Sequence, residues 1–386
     1  QAVVDSFPVL KTWALPVPPA VRDDSAAGSQ AAYSPMGNIR LASLYPIVEG
    51  YKVYPGYGLR FNFSDPLALH RINMSASYTP NRSVPQDERL HAAFNYNFWE
   101  WGVSGSWNAG DFYDIFGPTR ASRKGSSLGL RYSDYLTYEE PESMELGGSL
   151  TGYWGLERLP EYQNIAATFS TFYSLNLEAK YSMLSWSLGA VQEESGIRWE
   201  LASLNDEVNG TIYPRFYGAL STGTLLPIDH SSVWLRVAAG YSPGNRAEPF
   251  ANFYFGAFGN NWVDRGEIRR FREYYAFPGA GLNSIGGTNF GKLLLEWVLP
   301  PVRFRRFGGE SAYITWAQLA LFSGGIVTNM DDATVGQTVG DVGAQLDFRF
   351  VFFSALESTL SFGCAAAVEK QQHMTQEFMV SLKILR

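Results

Sequence analysis

The sequence predicts an all-β protein that crosses a membrane as an antiparallel barrel of about 16 strands. Three observations predict this fold class. Apolar and polar residues alternate along many segments, the segments run to about 10 residues or more, and aromatic residues cluster near segment ends. Strands of soluble proteins average about 5–6 residues, so segments of this length favour a membrane barrel.

Composition excludes several other classes of protein. Hydrophobic residues make up 46% of the 386 residues, which is too high a share for a disordered chain. No stretch of about 18 uninterrupted apolar residues occurs, so no membrane-spanning helix is predicted. Cys364 is the single cysteine, which excludes an internal disulfide framework. A net charge of −7 without a basic run excludes nucleic acid as an expected partner.

A period of two residues runs through the predicted strands. At Leu59–Ser64, leucine and phenylalanine occupy the odd positions, and arginine, asparagine and serine occupy the even ones. The same alternation marks residues 90–98, 169–179, 342–352 and 378–385. A soluble sandwich would bury the apolar face in a core, whereas a membrane barrel turns it to lipid and its polar face to a wet lumen. Small polar residues on the second face favour the barrel, and the sandwich is the alternative.

Aromatic residues cluster where the predicted strands begin or end. Such clusters occur at residues 96–101, at Tyr153 and Trp154, and at Trp186 and Trp262. Aromatic side chains favour the two interfaces of a bilayer. We therefore predict two aromatic girdles.

The alternating segments can be counted as strands. Their number is even, as single-chain bacterial barrels require, and turn signals such as those at 65–66 and 242–245 separate many of them. The predicted strands begin near Gly56, Leu69, Arg89, Trp101, Ser126, Glu142, Ala167, Trp186, Thr211, Ser231, Asn252, Lys292, Ile314, Asp341, Ser358 and Gln376.

The first residues differ from the rest of the chain. Residues 1–36 are rich in proline and contain a Ser/Ala/Gly patch, which is typical of an extended linker. We assign residues 37–386 to the barrel.

One long connection interrupts the rhythm of short turns. It follows the predicted eleventh strand, ends near Lys292, and carries four arginines and two tyrosines between 264 and 279. Long loops in compact domains are usually functional or disordered. If this loop folds into the lumen, its arginines need carboxylates there. Alternation places Glu296 and Asp347 on the inward face.

At this loop the chain resembles the barrels of the BamA/TamA-type outer-membrane assembly and translocation superfamily, also called bacterial surface antigen barrels. The resemblance rests on the strand count, on the loop between the eleventh and twelfth strands, on Ile268–Phe271 within that loop, and on Leu294–Pro300 after it. Members carry a Val-Arg-Gly-Phe/Tyr motif in this loop, which enters the lumen and pairs with acidic residues of later strands.

The resemblance implies a latch inside the lumen. Arg269 takes the place of the motif arginine, Phe271 that of the aromatic residue, and Glu296 and Asp347 are the expected acidic partners. Arg270 stands where the motif has glycine, which allows a tighter backbone, so the loop conformation is expected to differ here.

A narrower resemblance concerns barrels that follow TolB-like β-propeller repeats in bacterial envelope proteins. It rests on short stretches at 58–61, 64–70 and 111–119. It implies that the linker continues from a propeller. No POTRA repeats, the partner-binding modules of the assembly superfamily, occur in the sequence.

The residues favour a non-enzymatic protein without a cofactor or metal. The four histidines, His70, His91, His230 and His373, are far apart and form no metal-binding spacing. We expect His91 to face the lumen and His70 to be exposed near a turn. Asp111 and Asp114 lack a third acidic ligand nearby, so turn capping is the favoured role.

The expected function follows from the fold and the resemblance together. We expect a bacterial outer-membrane protein that acts as a translocation or assembly component. Its expected partners are the lipid bilayer and a periplasmic or propeller-type protein. The alternatives are a structural subunit that anchors a propeller or partner complex, and a passive porin.

Overall fold

The computed structural model describes residues 33–385 except 53, 109–123, 158–168, 260–262, 265–267, 355 and 370–373. Most of the predicted linker, Asp111, Asp114, Trp262 and His373 therefore lie outside the described residues. The strands are β1 (Arg40–Tyr51), β2 (Tyr54–Ser64), β3 (His70–Tyr78), β4 (Leu90–Phe98), β5 (Trp101–Trp107), β6 (Ser126–Glu139), β7 (Glu142–Trp154), β8 (Phe172–Ser185), β9 (Ser195–Val208), β10 (Thr211–Leu225), β11 (Ser232–Tyr241), β12 (Phe253–Phe255), β13 (Val263–Asp264), β14 (Ile285–Gly287), β15 (Asn289–Val298), β16 (Val302–Gly309), β17 (Ala312–Thr328), β18 (Thr338–Phe352), β19 (Leu356–Glu369) and β20 (Thr375–Leu385).

Helical structure is confined to short 3₁₀ turns in the described ranges. They comprise Met36–Asn38, Gln86–Glu88, Pro249–Ala251 and Arg270–Arg272. In the part of the chain that the structure describes, no helix has the length and apolar character needed to cross a membrane.

Eighteen of the strands form one sheet, in which antiparallel neighbours follow each other along the chain. β15 and β16 occupy one position, because both pair with β17 and are separated by Pro300 and Pro301. Proline has no N–H to donate, so the ladder breaks there. β13 adds only a two-residue parallel pair with β20. The antiparallel series therefore has 16 positions in the described residues, which agrees with the expected number.

Three details of the expected strand list are wrong. The strand expected to begin near Trp186 begins at Ser195, because residues 186–194 form the connection that precedes it. Arg40–Tyr51 is a 12-residue strand that pairs with β2, although its sequence shows no clear period. The segment expected to begin near Asn252 is not part of the large sheet. Its residues Phe253–Phe255 pair with Ile285–Gly287 in a separate two-stranded sheet. The eleventh strand of the series is thus β11, and the long connection extends from 242 to 288.

The edges of the sheet are β1 and β20. Within the described ranges β1 has a ladder with β2, and β20 has ladders with β19 and β13. No ladder between β1 and β20 is found among these residues. Closure of the sheet into a barrel therefore stays a prediction.

The two faces of the sheet differ in chemistry. On β15, Leu293 and Leu295 are 49% and 50% exposed, whereas Leu294 and Glu296 between and beside them are buried. Phe378 and Val380 of β20 are exposed in the same way. We call the exposed apolar side the outer face and the opposite side the inner face. A soluble protein would bury such a surface, so the exposed apolar outer face is what a lipid-facing wall requires.

The connections at the two ends of the sheet differ in length. The turn end carries short connections, such as 99–100, 140–141 and 310–311. The loop end carries the long ones, among them 79–89 and 242–288. We call residues 242–288 the crossing loop.

The largest buried clusters lie between the crossing loop and the inner face. Phe253, Phe255 and Phe277 of the loop pack with Phe290 of β15 and Ile326 of β17. A second cluster contains loop residues Phe258 and Phe271 and side chains of β15, β17, β19 and β20. The crossing loop therefore forms the core of the C-terminal half of the sheet.

Candidate functional site

The residues predicted for the lumen latch come together in the structure. Arg269 and Phe271 of the crossing loop, Glu296 of β15 and Asp347 of β18 are all almost fully buried. Arg269 Nε donates to Asp347 at 2.9 Å, and its Nη1 atom lies 3.5 Å from Glu296. Phe271 stacks on Phe322 with the ring centroids 4.4 Å apart. The structure thus contains the predicted contacts, and their role as a latch stays a prediction.

Glu296 is the centre of a larger ionic cluster than the sequence predicts. Arg272 donates to it from Nη2 at 2.7 Å and from Nε at 3.0 Å. Arg236 of β11 donates to it from Nη2 at 3.0 Å. Asp347 and Glu193 supply two further carboxylates, the latter 3.5 Å from Arg272. Three arginines and three carboxylates balance, as buried charges must.

Local backbone geometry aims both loop arginines at the same partners. Arg270–Arg272 form a 3₁₀ turn that begins after Arg269. Residues three apart eclipse each other in this helix, so Arg269 and Arg272 lie on one side. Phe271 is turned toward the apolar cluster instead. One short turn therefore presents two cations and one aromatic anchor to the inner face.

The tip of the crossing loop reaches the opposite end of the sheet. Gln192 belongs to the turn-end connection between β8 and β9, and its Oε1 atom accepts from Arg269 at 3.0 Å and from Arg272 at 3.1 Å. Glu296 lies seven residues along β15 from Asn289, which corresponds to about 23 Å at ~3.3 Å per residue. The loop therefore enters at the loop end and crosses most of the inner face.

Lys292 holds the next part of the loop. This β15 side chain is buried, and its ammonium group donates to the carbonyl oxygens of Glu273, Tyr274 and Ala276 at 2.8, 3.2 and 2.5 Å. An ammonium has three donors, and here all three are used on one stretch of backbone. Lys292 thus fixes residues 273–276 on the inner face.

Glu377 of β20 performs the complementary task. Its carboxylate accepts from the backbone N–H groups of Phe258 at 3.1 Å and Gly279 at 3.0 Å. The last strand is thereby connected to two separate parts of the crossing loop. The inner face thus binds the loop backbone in two ways: Lys292 donates to its carbonyl oxygens, and Glu377 accepts from its N–H groups.

Four residues of the site were not predicted from the sequence, namely Arg236, Arg272, Lys292 and Glu377. A signal for Lys292 existed, because Lys292 has the same parity as Glu296 and alternation puts both inside. Arg236 sits between apolar Leu235 and Val237, which likewise indicates an inward charge. No comparable signal distinguishes Arg272 from its neighbours, because the 3₁₀ turn is not visible in the sequence.

The histidines form no catalytic arrangement in the described residues. His230 Nδ1 lies 2.8 Å from Glu194 Oε1 and 3.3 Å from Ser187 Oγ. A hydrolytic triad needs the serine and the acid on different ring nitrogens, so these contacts do not form one. His91 is buried and contacts Thr79, as its inward position suggests. The expected exposure of His70 is wrong, because its ring stacks on Phe98.

No family model matches the chain, and no curated protein sequence matches it. Among solved structures, CdiB from Acinetobacter baumannii is similar over 89% of this chain and 60% of its own, with 11% identity and a TM-score of 0.47. The alignment with CdiB from Escherichia coli covers 89% of this chain and 62% of the CdiB chain, with 14% identity and a TM-score of 0.46.

A third similar structure is Wzi, described as an outer-membrane protein involved in group 1 capsule assembly in Escherichia coli and as a carbohydrate-binding β-barrel. The alignment with Wzi covers 90% of this chain and 83% of the Wzi chain, with 12% identity and a TM-score of 0.34. The chain spans about three fifths of the length of the two CdiB structures. Likenesses this loose carry no argument about function.

Proposed function

We propose that this chain is a bacterial outer-membrane β-barrel that acts as a translocation or assembly component. The observation that carries the proposal is the crossing loop, a polypeptide segment that runs along the inner face and is held by side chains of four strands, β15, β17, β18 and β20. Ion pairs and hydrogen bonds to such a segment can be exchanged one by one. An inner wall of this kind is suited to hold a polypeptide and to release it.

The outer face supports the membrane location. Apolar side chains point outward along the length of the sheet, including Leu59, Leu150, Leu177, Leu295 and Val380. Bacterial barrels have short periplasmic turns and longer external loops. We therefore assign the turn end to the periplasm, where a protein partner would bind, and the loop end to the exterior.

The single cysteine offers a direct test of membrane location. Cys364 is exposed, and it lies on the outer face opposite Phe378. A fluorophore on Cys364 should be quenched by brominated lipids in vesicles. The matched control carries Cys364→Ser with Asn73→Cys, which places the probe on the inner wall, and it should be quenched by aqueous iodide instead. Quenching of both probes by iodide alone would refute the membrane location.

The role in translocation or assembly needs a separate assay. Vesicles containing the chain should accelerate the insertion of an unfolded outer-membrane barrel or the passage of an unfolded polypeptide. An anchoring subunit would do neither and would co-purify with a fixed partner. A passive porin would conduct steadily in planar bilayers. Correct insertion without either acceleration would overturn the proposed role and leave the membrane location intact.

A further inference from the structure

The inner face of the N-terminal half contains a cavity that the contacts of the crossing loop do not explain. Its volume is about 420 Å³, and side chains of β1–β6 line it. The lining is formed mainly by small uncharged polar residues, including Asn62, Asn73, Ser75, Asn95, Ser104 and Ser127. Arg60 is the charged member of this lining, and its Nη2 atom lies 3.9 Å from Glu49. Such a wall can be hydrated but has little net charge.

This cavity is covered at the loop end. Tyr51 and His91 on the inner face and Val84 in the 79–89 connection are almost completely buried. The rings of Tyr51 and His91 pack in a tilted arrangement with their centroids 4.3 Å apart, and the Tyr51 hydroxyl donates to Glu88 at 3.0 Å. The 79–89 connection is therefore folded over the end of the cavity.

Lys52 fastens this cover across the opening. Its Nζ atom lies 2.8 Å from Glu88 and 2.6 Å from Glu157. Lys52 follows β1 and Glu157 follows β7, so five strands lie between their attachment points. Six strand spacings of ~4.8 Å amount to about 29 Å along the sheet. The contact is possible only because the sheet curves, so the ion pairs span the concave side.

The part of the cavity that lies away from the loop end is exposed. Asn73 and Asn95 of the lining are exposed, whereas Ser77 and His91, nearer the loop end on the same strands, are buried. We propose that the N-terminal half of the inner face is a gated path for small uncharged hydrophilic solutes, closed at its outer end by the ion pairs of Lys52 with Glu88 and Glu157. This inference rests on the proposed membrane location and is independent of the translocation role.

Replacing Lys52 tests the gate. Lys52→Met removes the cation that Glu88 and Glu157 share and leaves Glu88 with a longer contact to Lys124 at 3.6 Å, so the two carboxylates repel each other more strongly. In planar bilayers the wild-type chain should be nearly closed, and the variant should conduct severalfold more. Vesicles with the variant should also swell faster in arabinose. The lining is nearly uncharged, so the two carboxylates left at the mouth should give the open path only a modest preference for K⁺ over Cl⁻.

The matched control is Arg246→Met, which removes the ion pairs of Arg246 with Asp331 and Asp332 at the same end of the sheet, over the half that holds the crossing loop. It should leave conductance unchanged. Glu157→Gln provides a milder second variant if Lys52→Met fails to fold, and a partial increase is expected. Quenching of the Cys364 probe by brominated lipids verifies insertion of each variant.

Three results would overturn the proposal. One is unchanged conductance in inserted Lys52→Met and Glu157→Gln proteins. Another is wild-type conductance equal to that of the variants, which would mean that the path has no gate. A third is a preference of the opened path for Cl⁻ over K⁺. Loss of Cys364 quenching in the wild-type protein would instead refute the membrane location.

Discussion

Arg272 and Glu296 form the most direct ion pair between the crossing loop and the sheet. Two guanidinium nitrogens of Arg272 meet the carboxylate, at 2.7 Å for Nη2 and 3.0 Å for Nε. Arg269, which the family resemblance singles out, lies at 3.5 Å from the same carboxylate and is closer to Asp347. The two arginines therefore divide the acidic groups of β15 and β18 between them.

Arg272→Met should destabilise the chain strongly. Removing one partner of a buried pair leaves an uncompensated charge and costs about 3–5 kcal/mol. Here Arg236 still contacts Glu296, so we expect the lower part of this range. The measurement is urea-induced unfolding in vesicles. Arg270→Met is the control, because Arg270 contacts the hydroxyl of Tyr275 rather than this cluster. Equal losses in both variants would contradict the importance of the Arg272 pair.

Glu296→Gln should lower the temperature at which the barrel loses its compact gel mobility. The substitution keeps the shape of the side chain but leaves Arg236, Arg269 and Arg272 close together without their common anion. The double variant Glu296→Gln with Arg272→Met should lose less stability than the sum of the single variants, because residues in direct contact are not additive. Strict additivity would show that the two side chains act independently.

Lys292→Met should release residues 273–276 from the inner face. The three carbonyl oxygens that accept from Lys292 would lose their donor, and unsatisfied buried groups cost about 1–3 kcal/mol each. We expect faster trypsin cleavage after Arg270 and Arg272 in the folded protein. Lys180→Met, which removes an ion pair with Glu178 on β8, is the control and should not change cleavage in the crossing loop. Identical cleavage patterns would refute the role of Lys292.

Alternation made the fold and half of the site predictable. Glu296 and Asp347 could be placed inside because side chains of a strand change face at every residue, and the exposed Leu293 and Leu295 confirm the orientation of β15. Alternation could not reveal β1, whose sequence includes Pro46 and Gly50 and carries no clear period. It also misassigned Phe253–Phe255, because this short segment with two buried phenylalanines has the composition of a barrel strand.

The partners of the crossing loop were harder to predict for a different reason. Gln192 lies 77 residues from Arg269 in sequence, and Glu377 lies 98 residues from Gly279. No local sequence pattern encodes contacts over such separations. The cover formed by Lys52, Glu88 and Glu157 depends in the same way on curvature of the sheet. Strand patterns indicate faces, whereas contacts between connections depend on how the strands are arranged in three dimensions.

Glu194, in the turn-end connection at 186–194, should make the free energy of unfolding depend on pH in the acidic range. Burial raises the pKa of the Glu194 carboxyl, but hydrogen bonds from Ser187 and the contact with His230 outweigh it, so the pKa is lowered overall. The backbone N–H of Ser187 donates at 2.8 Å, and His230 Nδ1 lies at 2.8 Å. A carboxyl whose pKa is lower in the folded state contributes stability above its unfolded pKa of about 4.3.

This contribution is lost as the pH falls from about 4.3 through the lowered pKa of the folded state. The contribution of Glu194 to the free energy of unfolding should therefore be constant between neutral pH and about pH 5. At lower pH this contribution should decrease. Glu194→Gln should be less stable than the wild type at neutral pH, and the two curves should converge in acid. The matched variant Glu248→Gln, at an exposed position of the loop end, should follow the wild-type curve. Parallel curves for Glu194→Gln and the wild type down to the most acidic pH would show that Glu194 titrates alike in the folded and unfolded chain.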